Sequence, residues 1–144
     1  GVLATSRPLT ATKKKPGERR GIGWRQLPVD GMPIKQVLFD TNMMKSFAHE
    51  RLSVAVGAPG SMTLFKAKPS MHRMFSEQLR SETATDVEAN GNKKREWKLR
   101  PDRPDNHFLD NLAGCVCAAM ISGCALDEHQ TNVTKRKRRR TLKL

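Results

Sequence analysis

The positive charge of this chain is concentrated at its two ends. The chain holds 27 Lys and Arg against 14 Asp and Glu, for a formal net charge of +13. Seven of the basic residues lie in 1–25 beside one acid and seven lie in 133–144 beside none, whereas 26–132 hold thirteen residues of each sign. Because like charges repel and are costly to bury, the ends are not expected to pack into a hydrophobic core. The neutral middle must therefore supply the fold.

The length and the apolar content favour one domain. A chain of 144 residues can bury one modest core, and with 5% aromatic residues and no Tyr that core must be aliphatic and rich in Met. No apolar run approaches the roughly 20 residues that cross a bilayer, and the first residues lack the order of a signal peptide. We expect a soluble, unsecreted protein with no membrane partner. Because the chain starts with Gly1, we also expect a piece of something longer.

Proline and glycine spacing and hydrophobic periodicity divide the chain into three parts. Residues 1–32 show no sustained period and are predicted to be an extended basic arm, anchored by Trp24 and Leu27. The body spans 33–126, and 127–144 is predicted to be a disordered basic tail. In the body, the pattern predicts a buried strand at 36–39 that ends at Asp40 and a helix to about residue 52. The later predictions are a strand at 61–65, a helix from Ser70 to Leu79, a hairpin or loop at 84–92, a strand at 95–99, a proline-rich linker at 100–104, and a helix over 106–125 capped by Asp105.

Several reaction classes are excluded by what the sequence lacks. There is no Gly-rich phosphate loop and no Gly-x-Ser-x-Gly motif, which argues against an ATPase or a serine hydrolase on this chain. The three cysteines lie within 115–124 without the spacing of a zinc set, so buried free thiols in a reducing compartment are expected.

The last predicted helix carries a polar cluster on one face. His107, Asp110, Asn111 and Gly114 follow one another at offsets of three and four residues. An acid and an imidazole one turn apart can ligate Mg²⁺ or Mn²⁺, but the same residues also satisfy free backbone groups in a first helical turn. Asp40 has the same two interpretations, as a functional group at a strand end or as a helix N-cap.

The basic tail is a candidate for phosphate binding. Each phosphate that a Lys or Arg neutralises releases counterions, which gives salt-sensitive binding without sequence preference. A solvated terminus that aids solubility is the competing interpretation. A non-catalytic nucleic-acid-binding protein is therefore one candidate function. The residues concerned are Lys135, Arg136, Lys137, Arg138, Arg139 and Arg140.

Three blocks in the middle of the chain resemble a known family. They read VLFDTNMMKSFAHERLSVAVGAPGSMTLF, HRMFSEQLRSE and REWKLRPDRPDNHFLDNLAGCVCAAM, in this order. Asp-Thr-x-x-x-Lys, a Gly-rich turn, Gln-Leu-x-x-Glu and Asn-(Glu or His)-x-x-Asp resemble the C-terminal nuclease region of the large terminase subunit of lambda-type tailed phages. The resemblance covers about residues 37–120.

The resemblance implies a fold and an activity. It implies an α/β, RNase H-like nuclease fold with a mixed sheet and flanking helices, of which 33–126 would be the incomplete C-terminal part. It also implies cleavage of concatemeric DNA during genome packaging with Mg²⁺ or Mn²⁺. ATP would act only through a motor domain that this chain lacks. The implied partners are double-stranded DNA and, in the complete assembly, the terminase small subunit and the portal, in the cytoplasm of the bacterial host.

The resemblance also assigns roles to individual residues. Asp110 and His107 would be metal ligands, with His107 where many relatives have Glu, and which of the two binds is open. Asp40 would be a contact at the strand end and Lys45 a phosphate contact. Because the earlier strands and their Asp residues lie upstream in the family, this chain would lack at least two metal-binding carboxylates. We therefore expect a fragment or a decayed prophage gene product that is inactive alone.

Overall fold

Two small sheets and three α-helices build the protein. It is known from a computed structural model, which describes residue 9 and residues 13–89, 92–103 and 105–124. The elements in chain order are β1 (Arg19–Gly21), β2 (Trp24–Pro28), β3 (Lys35–Phe39), α1 (Thr41–Ser53), a 3₁₀ turn (Pro69–His72), α2 (Arg73–Leu79), β4 (Glu82–Ala89), β5 (Asn92–Leu99) and α3 (His107–Ile121). The α/β class predicted from the sequence is confirmed.

The first sheet is an antiparallel meander in the order β1-β2-β3. Gly23 lies in the turn between β1 and β2 with a φ of +69°, a region that a residue with a Cβ rarely adopts. A Cβ there would also collide with the Met43 side chain. The close approach allows the Asp40 N–H to donate to the Gly23 carbonyl at 2.8 Å. The turn therefore sits directly against the start of α1.

Within the predicted extended arm, residues 19–28 form two strands that the sequence pattern did not indicate. These residues form β1 and β2 and pair with β3, with Trp24 opposite Phe39. Sequence periodicity missed them because β1 has three residues and both strands are rich in charged and polar side chains. Trp24 is buried, as predicted for an anchor, whereas Leu27 is half-buried.

Helix α1 and the position of the strand before it agree with the sequence prediction, but the predicted burial of that strand does not. Asp40 is the N-cap of α1, and its Oδ1 accepts the Met43 N–H at 3.1 Å. Strand β3 is half-exposed rather than buried, because only one face of the first sheet is covered. The apolar side of α1 enters the core, where Met44 and Ala48 are fully buried.

The core lies between α1, α3 and the first sheet. Its buried members are Trp24, Met44, Ala48, Ala113, Val116 and Cys117. Helix α3 also buries Leu109 completely, whereas the neighbouring Phe108 is exposed. The three cysteines are free thiols as predicted, but only Cys117 is buried.

Strands β4 and β5 form a separate two-stranded antiparallel hairpin. Its register runs from Glu82 opposite Leu99 to Ala89 opposite Asn92. The hairpin is fastened to α1 through Trp97, whose backbone N–H donates to Asn42 Oδ1 at 3.0 Å and whose indole N–H donates to Ser46 Oγ at 2.9 Å. The hairpin alternative predicted for residues 84–92 is therefore confirmed.

Three predicted features of the body are wrong. Residues 61–65 are not a strand, since the chain there pairs with no other strand. Lys68 rather than Ser70 is the N-cap of the 3₁₀ turn that precedes α2. Asn106 rather than Asp105 is the N-cap of α3, which ends at Ile121.

The larger predictions on fold and tail are tested only in part. The described strands are all antiparallel, and an RNase H-like sheet stays a prediction. The predicted disordered tail at 127–144 lies outside the described residues. Among the residues that the structure describes, no helix is long and apolar enough to cross a membrane.

Candidate active site

A buried lysine joins two carboxylates at the edge of the α1–α3 interface. Lys45 Nζ lies 2.6 Å from Glu82 Oε1 and 2.6 Å from Asp110 Oδ1. The side chains of Lys45 and Glu82 are 7% and 4% exposed, whereas that of Asp110 is 50% exposed. The three residues come from α1, the start of β4 and α3. We call them the Lys45 cluster.

Packing of the two helices places this cluster. Lys45 follows the buried Met44 on α1, and Asp110 follows the buried Leu109 on α3. Since consecutive helical residues point about 100° apart, each charged side chain lies beside the apolar interface rather than inside it. The geometry of the cluster therefore depends on the same contacts that build the core.

Glu82 is held by a second donor. Asn106 Nδ2 donates to Glu82 Oε1 at 2.6 Å, so this one oxygen receives both the amide and the ammonium. The other oxygen, Oε2, is buried and has no hydrogen-bond partner within the part of the chain that the structure describes. The start of β4 is fixed by the Arg100 N–H, which donates to the Ser81 carbonyl at 2.8 Å. A buried carboxylate with a free oxygen is costly unless a cation neutralises it.

A stacked pair of rings, His49 and Trp97, lies next to Lys45 along α1. His49 lies one turn after Lys45 on α1 and stacks on Trp97, with ring centroids 4.4 Å apart and planes at 19°. Burial lowers the pKa of His49, against the smaller opposing effect of a hydrogen bond to the backbone of Leu79. Burial therefore favours the neutral form of the ring, and its Nε2 is buried without a hydrogen-bond partner among the described residues.

The outer side of the cluster is open to solvent through Asp110. Half of this side chain is exposed, and His107 at the start of α3 is exposed as well. A solute that approaches from this side meets Asp110 first and Glu82 behind it. The arrangement thus offers a carboxylate pair with one buried and one accessible member.

The structure brings together only some of the residues that the sequence singled out. Lys45 and Asp110 are in direct contact. Asp40 lies at the N-cap of α1, where Met43 occupies its Oδ1, and it is not among the groups that contact Lys45. His107 is exposed on α3 and is likewise outside the cluster. The basic residues 135–140 lie outside the described residues.

Comparison with protein families identifies the family of the chain. The family model for the endonuclease domain of the terminase large subunit gpA matches residues 3–132. The chain belongs to this family. The resemblance seen in three sequence blocks is therefore confirmed. No curated protein and no solved structure gives a significant match.

The side chains of this terminase endonuclease domain do not by themselves make a metal site. The donors are of the type that hard cations prefer, with two carboxylates and the free Oε2 of Glu82. However, no group of three or more His, Cys, Asp or Glu side chains within the described ranges could hold a metal ion. The space between Glu82 and Asp110 is taken by the ammonium of Lys45.

Sequence reasoning missed two members of this terminase site. Glu82 ends the Gln-Leu-x-x-Glu motif, and Asn106 opens the Asn-(Glu or His)-x-x-Asp motif. The resemblance to the family assigned a role to neither. The signal available was their place within the family blocks. Their contact could not be inferred locally, because they are 24 residues apart in the chain and Glu82 is 37 residues from Lys45.

Proposed function

We propose that this chain is the C-terminal part of a terminase nuclease that cuts concatemeric double-stranded DNA during genome packaging. The observation that carries the proposal is the carboxylate pair of Glu82 and Asp110, one buried and one open to solvent, in a chain of the terminase endonuclease family. We also propose that these strands and helices belong to an RNase H-like domain.

Each residue of the cluster has a distinct part in this proposal. Asp110 faces the side from which DNA would approach, and Glu82 lies behind it in a position fixed by Asn106. Of the two candidate ligands on α3, we favour Asp110, because its Oδ1 lies 2.6 Å from Lys45 Nζ. We retain Asp40 as a contact at the strand end that acts through the start of α1.

The proposal includes Mg²⁺ or Mn²⁺ as the cofactor of the complete enzyme. Two carboxylates are fewer than the oxygen ligands that such an ion requires, so further carboxylates must come from elsewhere in the enzyme. The chain alone is therefore proposed to be inactive. In the complete assembly, the partners would be the terminase small subunit and the portal in the host cytoplasm, and ATP would act only through the motor domain.

A DNA cleavage assay tests the nuclease function. We would express the 144-residue chain and the same chain extended by the in-frame coding sequence upstream of Gly1, and incubate both with plasmid DNA and Mn²⁺. We expect cleavage only by the extended chain. Asp110→Asn should lower its rate on the order of 10²–10³-fold, as loss of a charge-stabilising group does. Asp86→Asn is the matched control, since Asp86 is exposed on the hairpin and pairs with Arg95.

Two results would contradict the nuclease proposal. The first is an extended chain that cuts DNA at the same rate with and without the Asp110 carboxylate. The second is an upstream region without an ATPase and without further acidic strand ends, which would leave no source for the missing ligands. Either result leads to the alternative function.

The alternative is a non-catalytic protein that binds nucleic acid through its basic ends. The high positive charge of residues 135–140, without an acid nearby, favours it. In that case DNA binding would weaken steeply as salt rises and would be lost when these six residues are removed, while Asp110→Ala would change nothing.

A further inference from the structure

Basic residues near the start of the chain are held by the first sheet. Residues 13–35 carry seven Lys and Arg against two acids, for a formal net charge of +5. Three exposed lysines stand just before β1, and two arginines lie opposite each other on β1 and β2. We call these five residues the basic corner, which consists of Lys13, Lys14, Lys15, Arg20 and Arg25.

A tight turn ties the lysines to the sheet. The Glu18 N–H donates to the Lys15 carbonyl at 3.1 Å, and Gly17 within this turn has a φ of +72°. In return, the Lys15 N–H donates to Glu18 Oε2 at 2.7 Å. The same Oε2 accepts a hydrogen bond from Arg20 Nη2 at 3.0 Å, while Arg20 Nε donates to Oε1. One carboxylate therefore joins the lysine segment to strand β1.

The charge that the basic corner presents to solvent is positive. The Glu18 side chain is 0% exposed and that of Arg20 is 16% exposed, so the acid lies beneath the arginine. Because side chains alternate across a strand, Arg20 and Arg25 lie on the face opposite the buried Trp24. Within the described part of the chain, no carboxylate forms an ion pair with a lysine side chain of the corner. These ammonium groups are available to an external anion.

We propose that the basic corner binds the phosphate backbone of double-stranded DNA and orients it on the domain. The inference takes its partner, DNA, from the proposed function, but it uses residues to which that function assigns no part. Contacts to phosphate carry no sequence information, so the corner holds DNA of any sequence. Because the corner is part of a sheet, it also fixes the direction in which the DNA crosses the protein.

The sheet has a fixed place relative to the Lys45 cluster. The Asp40 N–H donates to the Gly23 carbonyl in the β1–β2 turn at 2.8 Å, and Lys45 lies five residues later on α1. Trp24, the neighbour of Arg25, is buried in the core that α1 and α3 form. DNA bound at the corner is therefore held by the same packed unit that carries the Lys45 cluster.

Removal of three charges from the corner tests the proposal. In the full chain, Lys13, Lys14 and Lys15 are each replaced by Gln, and binding of a labelled DNA duplex is followed by fluorescence anisotropy. If each lysine contacts one phosphate, the slope of log K against log salt concentration should become shallower by about 2.7. Between about 50 and 200 mM salt, the unmodified chain should then lose about 40-fold more affinity than the variant.

A matched variant controls for net charge. Lys66→Gln, Lys68→Gln and Lys93→Gln together remove the same charge from exposed lysines elsewhere on the protein. This variant should keep the salt slope of the unmodified chain. An equal change in both variants would mean a general attraction by net charge and would overturn the proposal. A corner variant with the slope of the unmodified chain would overturn it as well.

A second measurement locates the contact without any substitution. The unmodified chain is acetylated briefly with and without the DNA duplex, and the modified lysines are identified by mass spectrometry. The three lysines of the corner should be protected by the duplex, whereas Lys66 and Lys68 should react equally in both samples. Protection by phosphatidylglycerol vesicles but not by the duplex would overturn the proposal and assign the corner to a membrane surface.

The outcomes separate this inference from the proposed function. Cleavage by the extended chain that requires Asp110, with DNA binding and cleavage both unchanged by loss of the corner lysines, would overturn the inference and leave the nuclease. Salt-sensitive DNA binding that requires the corner lysines, with no cleavage by the extended chain, would support the inference and contradict the nuclease function.

Discussion

Removal of the Lys45 charge should lower the free energy of unfolding by much more than the loss of two surface ion pairs would. The contact with Glu82 is buried on both sides, and removal of one partner of a buried ion pair costs about 3–5 kcal/mol because a charge is left without compensation. The contact with Asp110 is half exposed and contributes at most about 1 kcal/mol. Lys45→Met should therefore lower the free energy of unfolding by about 3–5 kcal/mol, and Asp110→Asn by about 1 kcal/mol or less.

The cause can be isolated with a compensating change. Glu82→Gln keeps an amide oxygen that can accept the Asn106 donor, but it removes the buried negative charge. In the double variant Lys45→Met, Glu82→Gln, most of the lost stability should return, to within about 1–2 kcal/mol of the unmodified protein, because no unpaired buried charge remains. Lys98→Met, at an exposed ion pair, should stay within about 0.5 kcal/mol.

Urea unfolding followed by tryptophan fluorescence measures all four variants. Trp97 packs on α1 beside the cluster, so its emission reports the region directly. A Lys45→Met protein within 1 kcal/mol of the unmodified chain would refute the reasoning, since it would mean that the Glu82 carboxylate is hydrated or protonated at little cost. A double variant no more stable than Lys45→Met would refute it as well.

Further predictions concern pH and thiol reactivity. The ion pair with Arg20 and a backbone hydrogen bond lower the pKa of Glu18 to about 2, so its stabilisation is present above the unfolded value near 4.5 and is lost as pH falls toward 2; the difference in urea midpoint between the unmodified chain and Glu18→Gln should shrink over that window. Burial lowers the pKa of His49, so below about pH 6.5 the unfolded chain binds a proton at this residue more readily than the folded chain does. The free energy of unfolding should therefore fall from pH 7 to 5.5, and it should fall less in His49→Phe. Burial raises the pKa of Cys117, so iodoacetamide should modify the exposed Cys115 and Cys124 first, as read by mass spectrometry.

Local signals in the sequence were sufficient where an element is fixed by its own residues. The start of α1 is set by Asp40, whose carboxylate caps the helix, and the helix ends at Ser53, close to the predicted residue 52. Trp24 was identified as an anchor because it is a large apolar residue in a polar stretch, and it is buried as expected. In both cases the deciding property is local. The cap joins residues that are three apart in the chain, and the burial of Trp24 follows from its own size and apolar character.

Local signals failed where an element depends on pairing. Strands β1 and β2 are short and polar, and they are stable because they pair with β3 rather than because of their own pattern. Residues 61–65 have the composition of a strand but find no partner, so the pattern gave a false prediction. The same limit applied to the site, where Asp110 could be found from helical spacing but Glu82 could not.

The core and the candidate active site of this domain depend on the same packing of α1 against α3. On α1 the buried Met44 precedes Lys45, and on α3 the buried Leu109 precedes Asp110, so the rotation that packs the helices also brings the charged groups together. The N-terminal charged end takes part in this packing, because Trp24 belongs to the core, whereas the three residues of the Lys45 cluster come from α1, β4 and α3. The proposed binding of DNA by residues 135–140 and the proposed chemistry of the cluster therefore rest on different residues, and each can be tested without the other.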